Sequence, residues 1–113
     1  MIRTRGLTHI ALAVRDPERS FRFYERLLGV IRVYDSPDFV QAQTPGSWDV
    51  LVFERDPANA GRAGAVRHFG FRLVDASDIE RATDIAKEAG ATIVSRGEFC
   101  PGEPYVFLRD PDG

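Results

Sequence analysis

His9-Ile-Ala-Leu-Ala-Val-Arg-Asp16 returns later in the chain as His68-Phe-Gly-Phe-Arg-Leu-Val-Asp75. Each phrase begins with an imidazole, alternates with the period of a strand and ends on an aspartate suited to cap a helix. A unit of strand, acidic cap and helix therefore occurs twice. These are the only two histidines in the chain, and the duplication gives them equivalent places in two similar modules.

Working outward from the first copy, Thr8, Ile10, Leu12 and Val14 fall on one face of the strand, and His9, Ala11 and Ala13 on the other. Asp16-Pro17 predicts a helix start, with the carboxylate as N-cap and the proline in the first turn. Phe21, Tyr24, Leu27 and Leu28 keep helical spacing until Gly29 ends the run, and Tyr24 reads as core edge and not as a catalyst. Strands are predicted at 30–34, 39–43 and from Asp49 to Phe53 or Glu54. The turn clusters Asp35-Ser-Pro-Asp38 and Thr44-Pro-Gly-Ser47 separate them. The first module, residues 1–55, reads β-α-β-β-β.

Residues 56–65 are rich in Pro, Gly and Ala without periodicity and read as a linker. Alternation resumes over 66–74, where Phe69, Phe71 and Leu73 oppose His68, Gly70 and Arg72. Either Asp75, or Ser77 with Glu80 as a capping box, opens a second helix striped by Ile79, Ala82, Ile85, Ala86 and Ala89. Strands at 92–96 and 104–109 lead to the turn Asp110-Pro-Asp-Gly113. The second module, 66–113, thus has one strand fewer than the first. A turn this strong normally reverses the chain into another strand, so continuation beyond Gly113 is the expectation.

Composition narrows the function classes. A 113-residue chain with 43% hydrophobic and 28% charged residues is expected to form a single domain with a real core. The net charge of -2, with both signs interspersed, offers no basic field for nucleic acid. No apolar run reaches the roughly 20 residues of a bilayer span, and Met1-Ile-Arg-Thr-Arg5 lacks a signal-peptide core. No membrane association and a cytoplasmic location are therefore expected. The single Cys100 can form neither an internal disulfide nor a thiolate metal cluster, and reads as a spectator thiol.

A histidine on a strand ordinarily fills a core or wet cleft and bonds a neighbour. Two at matching places of a repeat point instead to metal ligation. Two imidazoles and a carboxylate on one side of an ion leave positions open for a substrate.

The sequence resembles the vicinal oxygen chelate superfamily, which includes glyoxalase I, bleomycin resistance proteins, fosfomycin resistance enzymes and extradiol dioxygenases. The likeness rests on four motifs in order. They are Leu7-Thr-His-Ile-Ala-Leu-Ala-Val-Arg-Asp16, Phe21-Arg-Phe-Tyr-Glu-Arg-Leu-Leu-Gly29, Arg67-His-Phe-Gly-Phe71 and Tyr105-Val-Phe-Leu-Arg-Asp-Pro-Asp-Gly113. The resemblance implies an α+β fold of two βαβββ modules forming an open, metal-centred β-barrel with helices outside. It also implies a small-molecule substrate, one divalent ion (Fe, Mn, Zn, Ni or similar), and a homodimer. His9 and His68 match the first two metal ligands, and the third is expected just after Gly113. Glu54 is an alternative ligand. If Leu51 occupies the ligand register instead, Glu54 is a solvated strand end, and the register of the sheet decides between them.

Several activities compete within that resemblance. The tail from Gly97 to Gly113 looks most like extradiol dioxygenases, but Phe107 stands where those enzymes carry a tyrosine, and there is no third histidine. Phe99, Pro101, Pro104 and Phe107 supply none of the polar groups that fosfomycin enzymes use to hold a phosphonate. The leading expectation is a metal-dependent isomerase, lyase or extradiol-type dioxygenase chelating vicinal oxygens. Arg72 would neutralise an anionic substrate, or else sit in a salt bridge, and Trp48, Phe39 and Tyr105 would line an apolar pocket or simply pack. The alternative is a metal-free, ligand-sequestering module of the bleomycin resistance type.

Overall fold

In the computed structural model, which describes residues 1–113, the chain is α+β and divides into two compact units, Met1–Ala60 and Gly61–Gly113. The first unit contains β1 (Ile10–Val14), α1 (Pro17–Leu28), β2 (Ile31–Asp35), β3 (Phe39–Gln43) and β4 (Leu51–Arg55). This is the βαβββ order expected from the sequence.

Helix α1 begins and ends as its termini dictate. The Asp16 carboxylate accepts from the Glu18 N–H at 3.0 Å, Pro17 fills the first turn, and Gly29 adopts a left-handed conformation at φ 69°. That conformation lets the Gly29 N–H reach the Glu25 carbonyl at 2.8 Å. Pro17, Ser20, Phe21, Phe23 and Tyr24 are buried. Arg32 braces the helix to β2, donating to both Glu18 carboxylate oxygens at 2.7 and 2.8 Å while lying over the Phe21 ring.

The four strands are ordered β1-β4-β3-β2, with β1 and β4 parallel and the other pairs antiparallel. Ile10 is level with Leu51 and Leu12 with Phe53, while Val40 and Ala42 of β3 oppose Phe53 and Leu51. These residues form the face packed on α1. Phe53 is fully buried and stacked on Tyr24, with ring centroids 5.1 Å apart. By the alternation of strands, Phe39, Gln41, Val50, Val52 and Glu54 fall on the opposite face.

The segment read as a linker is partly built into this unit. Asp56 N–H bonds the Val14 carbonyl at 2.9 Å, Ala60 N–H bonds the Asp56 carbonyl at 3.1 Å, and Ala60 is buried. The division falls between Ala60 and Gly61.

In the second unit a short 3-10 turn, Ala76–Asp78, leads into α2 (Ile79–Glu88), followed by an antiparallel pair, β5 (Thr92–Glu98) and β6 (Pro104–Arg109). Asp75 caps the turn through Ser77, and the proposed Ser77–Glu80 capping box does not form. Thr83 is buried within the expected apolar stripe because its hydroxyl donates to the Ile79 carbonyl at 2.7 Å. At the other end, the Asp110 turn closes with Gly113 N–H on the Asp110 carbonyl at 2.9 Å.

The strand expected over 66–74 is not formed. These residues carry no ladder hydrogen bonds, and Val66 and Val74 are exposed. The equivalent strand of the first unit, β1, has β4 as its sole partner. Within residues 61–113 β5 and β6 pair with each other and neither pairs with 66–74, so its alternation is not matched by a ladder. Among the buried hydrophobic residues of the chain, only Ala86 belongs to this unit.

Candidate functional site

His9 stands one residue before β1 and is exposed. Its backbone level is fixed by the next residue, whose N–H bonds the Val50 carbonyl at 3.0 Å. The histidine borders a recess on the open face of the first sheet, with Val50 and Val52 as floor and Phe39, Gln41 and Glu54 along the sides. Val52 is buried even though it faces away from α1, because Ala11 and Gln41 flank it in the ladder. Neither His9 nor His68 hydrogen-bonds any other group of the protein.

The register resolves the placement of Glu54. Leu51 is level with Ile10, on the face packed against α1, so it cannot occupy a ligand position beside His9. Glu54 does share the His9 face. It is level with Ala13, however, four steps from His9, or about 13 Å along the strand at ~3.3 Å per residue. The ladder position beside His9 on that face belongs to Val50, an apolar residue. Phe39 lies directly across from Glu54 in the β3–β4 pair and stacks on Tyr34 at 5.5 Å.

His68 lies in the unpaired segment, exposed, with its ring edge-on to Phe107 at 4.9 Å; Phe107 in turn contacts Tyr105 at 5.4 Å. Arg72, expected on the His68 face as a substrate group, is ion-paired with Glu103 at 3.4 Å, with 84% of its side chain exposed. Trp48 is 72% exposed and lies beneath the Arg5 guanidinium, 4.7 Å from the ring centre, and does not line the recess. Tyr105 borders a separate hollow of about 520 Å³ between the start of α2 and the β5–β6 hairpin, which Arg96 and Glu80 span as an ion pair. Cys100 is exposed. No three side chains among His, Cys, Asp and Glu gather into a cluster able to hold a metal ion.

Gln41 and Val52 were not singled out from the sequence. The alternation Phe39, Gln41, Gln43 would have placed Gln41 beside Phe39, but only the β3–β4 register puts both on the face of His9.

With this geometry in view, the relatives of the chain are informative. The family model described as the Glyoxalase/Bleomycin resistance protein/Dioxygenase superfamily matches residues 6–113, and the chain belongs to that superfamily. It is 31% identical over 115 residues to the uncharacterized protein PA2024 of Pseudomonas aeruginosa, covering 95% of this chain and 82% of that protein. Among solved structures, the fosfomycin resistance protein FosX from Listeria monocytogenes, complexed with Mn(II) and sulfate, superposes with a TM-score of 0.79 at 17% identity. It covers 97% of this chain and 85% of its own. Lactoylglutathione lyase from Agrobacterium tumefaciens gives a TM-score of 0.70 at 19% identity, covering 97% and 89%. At these identities the shared property is the fold. No helix is long and apolar enough to cross a membrane.

Proposed function

We propose that the protein is a small metal-dependent enzyme that binds a substrate through two adjacent oxygens, with His9 and His68 as two ligands of one divalent ion. The observation that carries this reading is the state of the imidazoles. A histidine that fills a core is buried and hydrogen-bonded, whereas both rings here are exposed and free of hydrogen bonds. They also occupy the same place in a repeated phrase. The FosX structure that shares this fold was solved in complex with Mn(II), which supports the reading.

An ion so held supplies Lewis-acid stabilisation of negative charge on the substrate oxygens, the common requirement of the isomerase, lyase and extradiol dioxygenase classes. The chain's own residues do the rest. Val50 and Val52 give the recess an apolar floor, the Gln41 amide offers a hydrogen bond to a polar substrate atom, and Phe39 supplies an apolar wall. Arg72, held by a single exposed contact to Glu103, is available as a counter-charge for the oxygens. Trp48 and Tyr105, which do not line this recess, are kept as proposed substrate contacts, and the active form is proposed to be a cytoplasmic homodimer.

A second reading, a metal-free module that sequesters a ligand, draws on the lack of a three-donor cluster. Calorimetric titration of the purified protein with MnCl2, NiCl2 and ZnCl2 separates the two. One ion per chain, with at least roughly tenfold weaker binding in both His9→Ala and His68→Ala, supports the enzyme. Affinity unchanged in both variants overturns it, and no binding of any of these ions favours sequestration.

A further inference from the structure

Glu54 is an exposed carboxylate with no ion pair and no hydrogen bond. Arg55, its neighbour in sequence, turns to the other side, where its guanidinium donates to the Arg15 and Pro37 carbonyls at 3.5 Å. Phe39 is the residue paired with Glu54 across the ladder, and its ring stacks on Tyr34. No arginine or lysine borders this recess. A free carboxylate and an aromatic side chain paired across a ladder and lining one recess form a combination that attracts a cation twice, through charge and through the ring quadrupole. The same combination repels an anion.

We infer that the notch between Glu54 and Phe39 binds a cationic group of the ligand, an ammonium or amidinium, and thereby selects against ligands that carry an anion at this end. This rests on the metal reading only for the other end of the ligand. Substrate oxygens at His9 would lie about 13 Å along the strand from the notch, so the ligand would be elongated and of opposite charge at its two ends. The notch itself stands on Glu54, Phe39 and the floor beneath them.

Benzylammonium, benzyl alcohol and benzoate, titrated separately into isotopically labelled protein and followed by amide chemical shifts, test the inference. Benzylammonium is expected to shift amides of residues 39–41 and 52–54 and to bind more tightly than benzyl alcohol, with benzoate weakest. Glu54→Gln should weaken benzylammonium roughly three- to fivefold, as an exposed ion pair allows. Raising salt from low to high concentration should remove the preference in the native protein and change little in the variant. Phe39→Leu should also weaken the cation while retaining an apolar side chain. Equal affinity for the three probes, or no effect of Glu54→Gln, overturns the inference. Mn(II) titration of Glu54→Gln in parallel keeps the two proposals apart. Unchanged metal affinity is expected, and loss of the ion with cation binding intact would make Glu54 a ligand and end the notch assignment. Histidine variants that leave metal binding intact sink the metal reading alone.

Discussion

Phe53→Ala removes the side chain on which the first unit depends most. Phe53 is 0% exposed, lies in β4 between Val40 and Leu12 in the ladders, and stacks on Tyr24 of α1 at an interplanar angle of 22°. A phenylalanine buries at least 150 Å² of apolar surface, which at ~25 cal/mol per Å² is about 4 kcal/mol. The aromatic pair with Tyr24 adds about 0.5–1.5 kcal/mol, and the methyl of alanine retains about 1 kcal/mol. The expected loss is therefore about 4 kcal/mol, within the range of about 3–5 kcal/mol seen for phenylalanine truncation in cores. Urea unfolding followed by far-UV circular dichroism measures it, with Glu54→Gln as the companion. Glu54 is the next residue on the same strand, but it points to the opposite face and should change stability by less than about 0.5 kcal/mol. A loss below about 1.5 kcal/mol for Phe53→Ala, or comparable losses for the two variants, would refute the assignment of faces. With it would go the placement of His9, Gln41 and Glu54 on one side of the sheet.

Gly61→Ala should cost about 2 kcal/mol or more, read from the thermal midpoint, because Gly61 has φ 76° and an added Cβ would meet the Asp112 carbonyl oxygen at 2.1 Å. An unchanged midpoint would show that the terminal turn is not held against Gly61. The Ser77 hydroxyl and then the Ser77 N–H hydrogen-bond Asp75 and hold its carboxyl below the usual carboxylate range. A carboxyl with a depressed folded pKa contributes stability that is complete above about pH 4 and is lost as pH falls through the folded value. Asp75→Asn should therefore lose hydrogen-exchange protection at the start of α2 at pH 6, and native and variant should converge at strongly acid pH. A difference that persists unchanged into acid would contradict the cap.

Local chemistry made much of the first unit legible. Asp16-Pro17 and Gly29 mark the ends of α1 because capping and left-handed termination are properties of a few residues. Strand 39–43 is bounded correctly by its turn clusters, as is 104–109 in the second unit. The failure at 66–74 has a different origin. Its alternation matches that of β1, but a strand also needs a backbone partner, and periodicity carries no information about whether one is present. Glu54 was ambiguous for the same reason. One residue of register exchanges its face with that of Leu51, and only the pairing of Ile10 with Leu51 fixes it. Arg72 was equally open between substrate and salt bridge, and its contact with Glu103, far away in sequence, lay beyond any local pattern.

The parallel pairing of β1 with β4 also carries the longest loop closure of the first unit. β1 lies at a sheet edge, and its ladder partner follows only after α1, β2 and β3. Closing a loop of some forty residues carries an entropic penalty of about 3 kcal/mol before any of the contact is recovered. The hairpins β2–β3 and β3–β4 connect sequence neighbours and carry a much smaller closure cost. Since His9 takes its position from that pairing through the Ile10–Val50 hydrogen bond, its imidazole is held only as firmly as an edge strand is held.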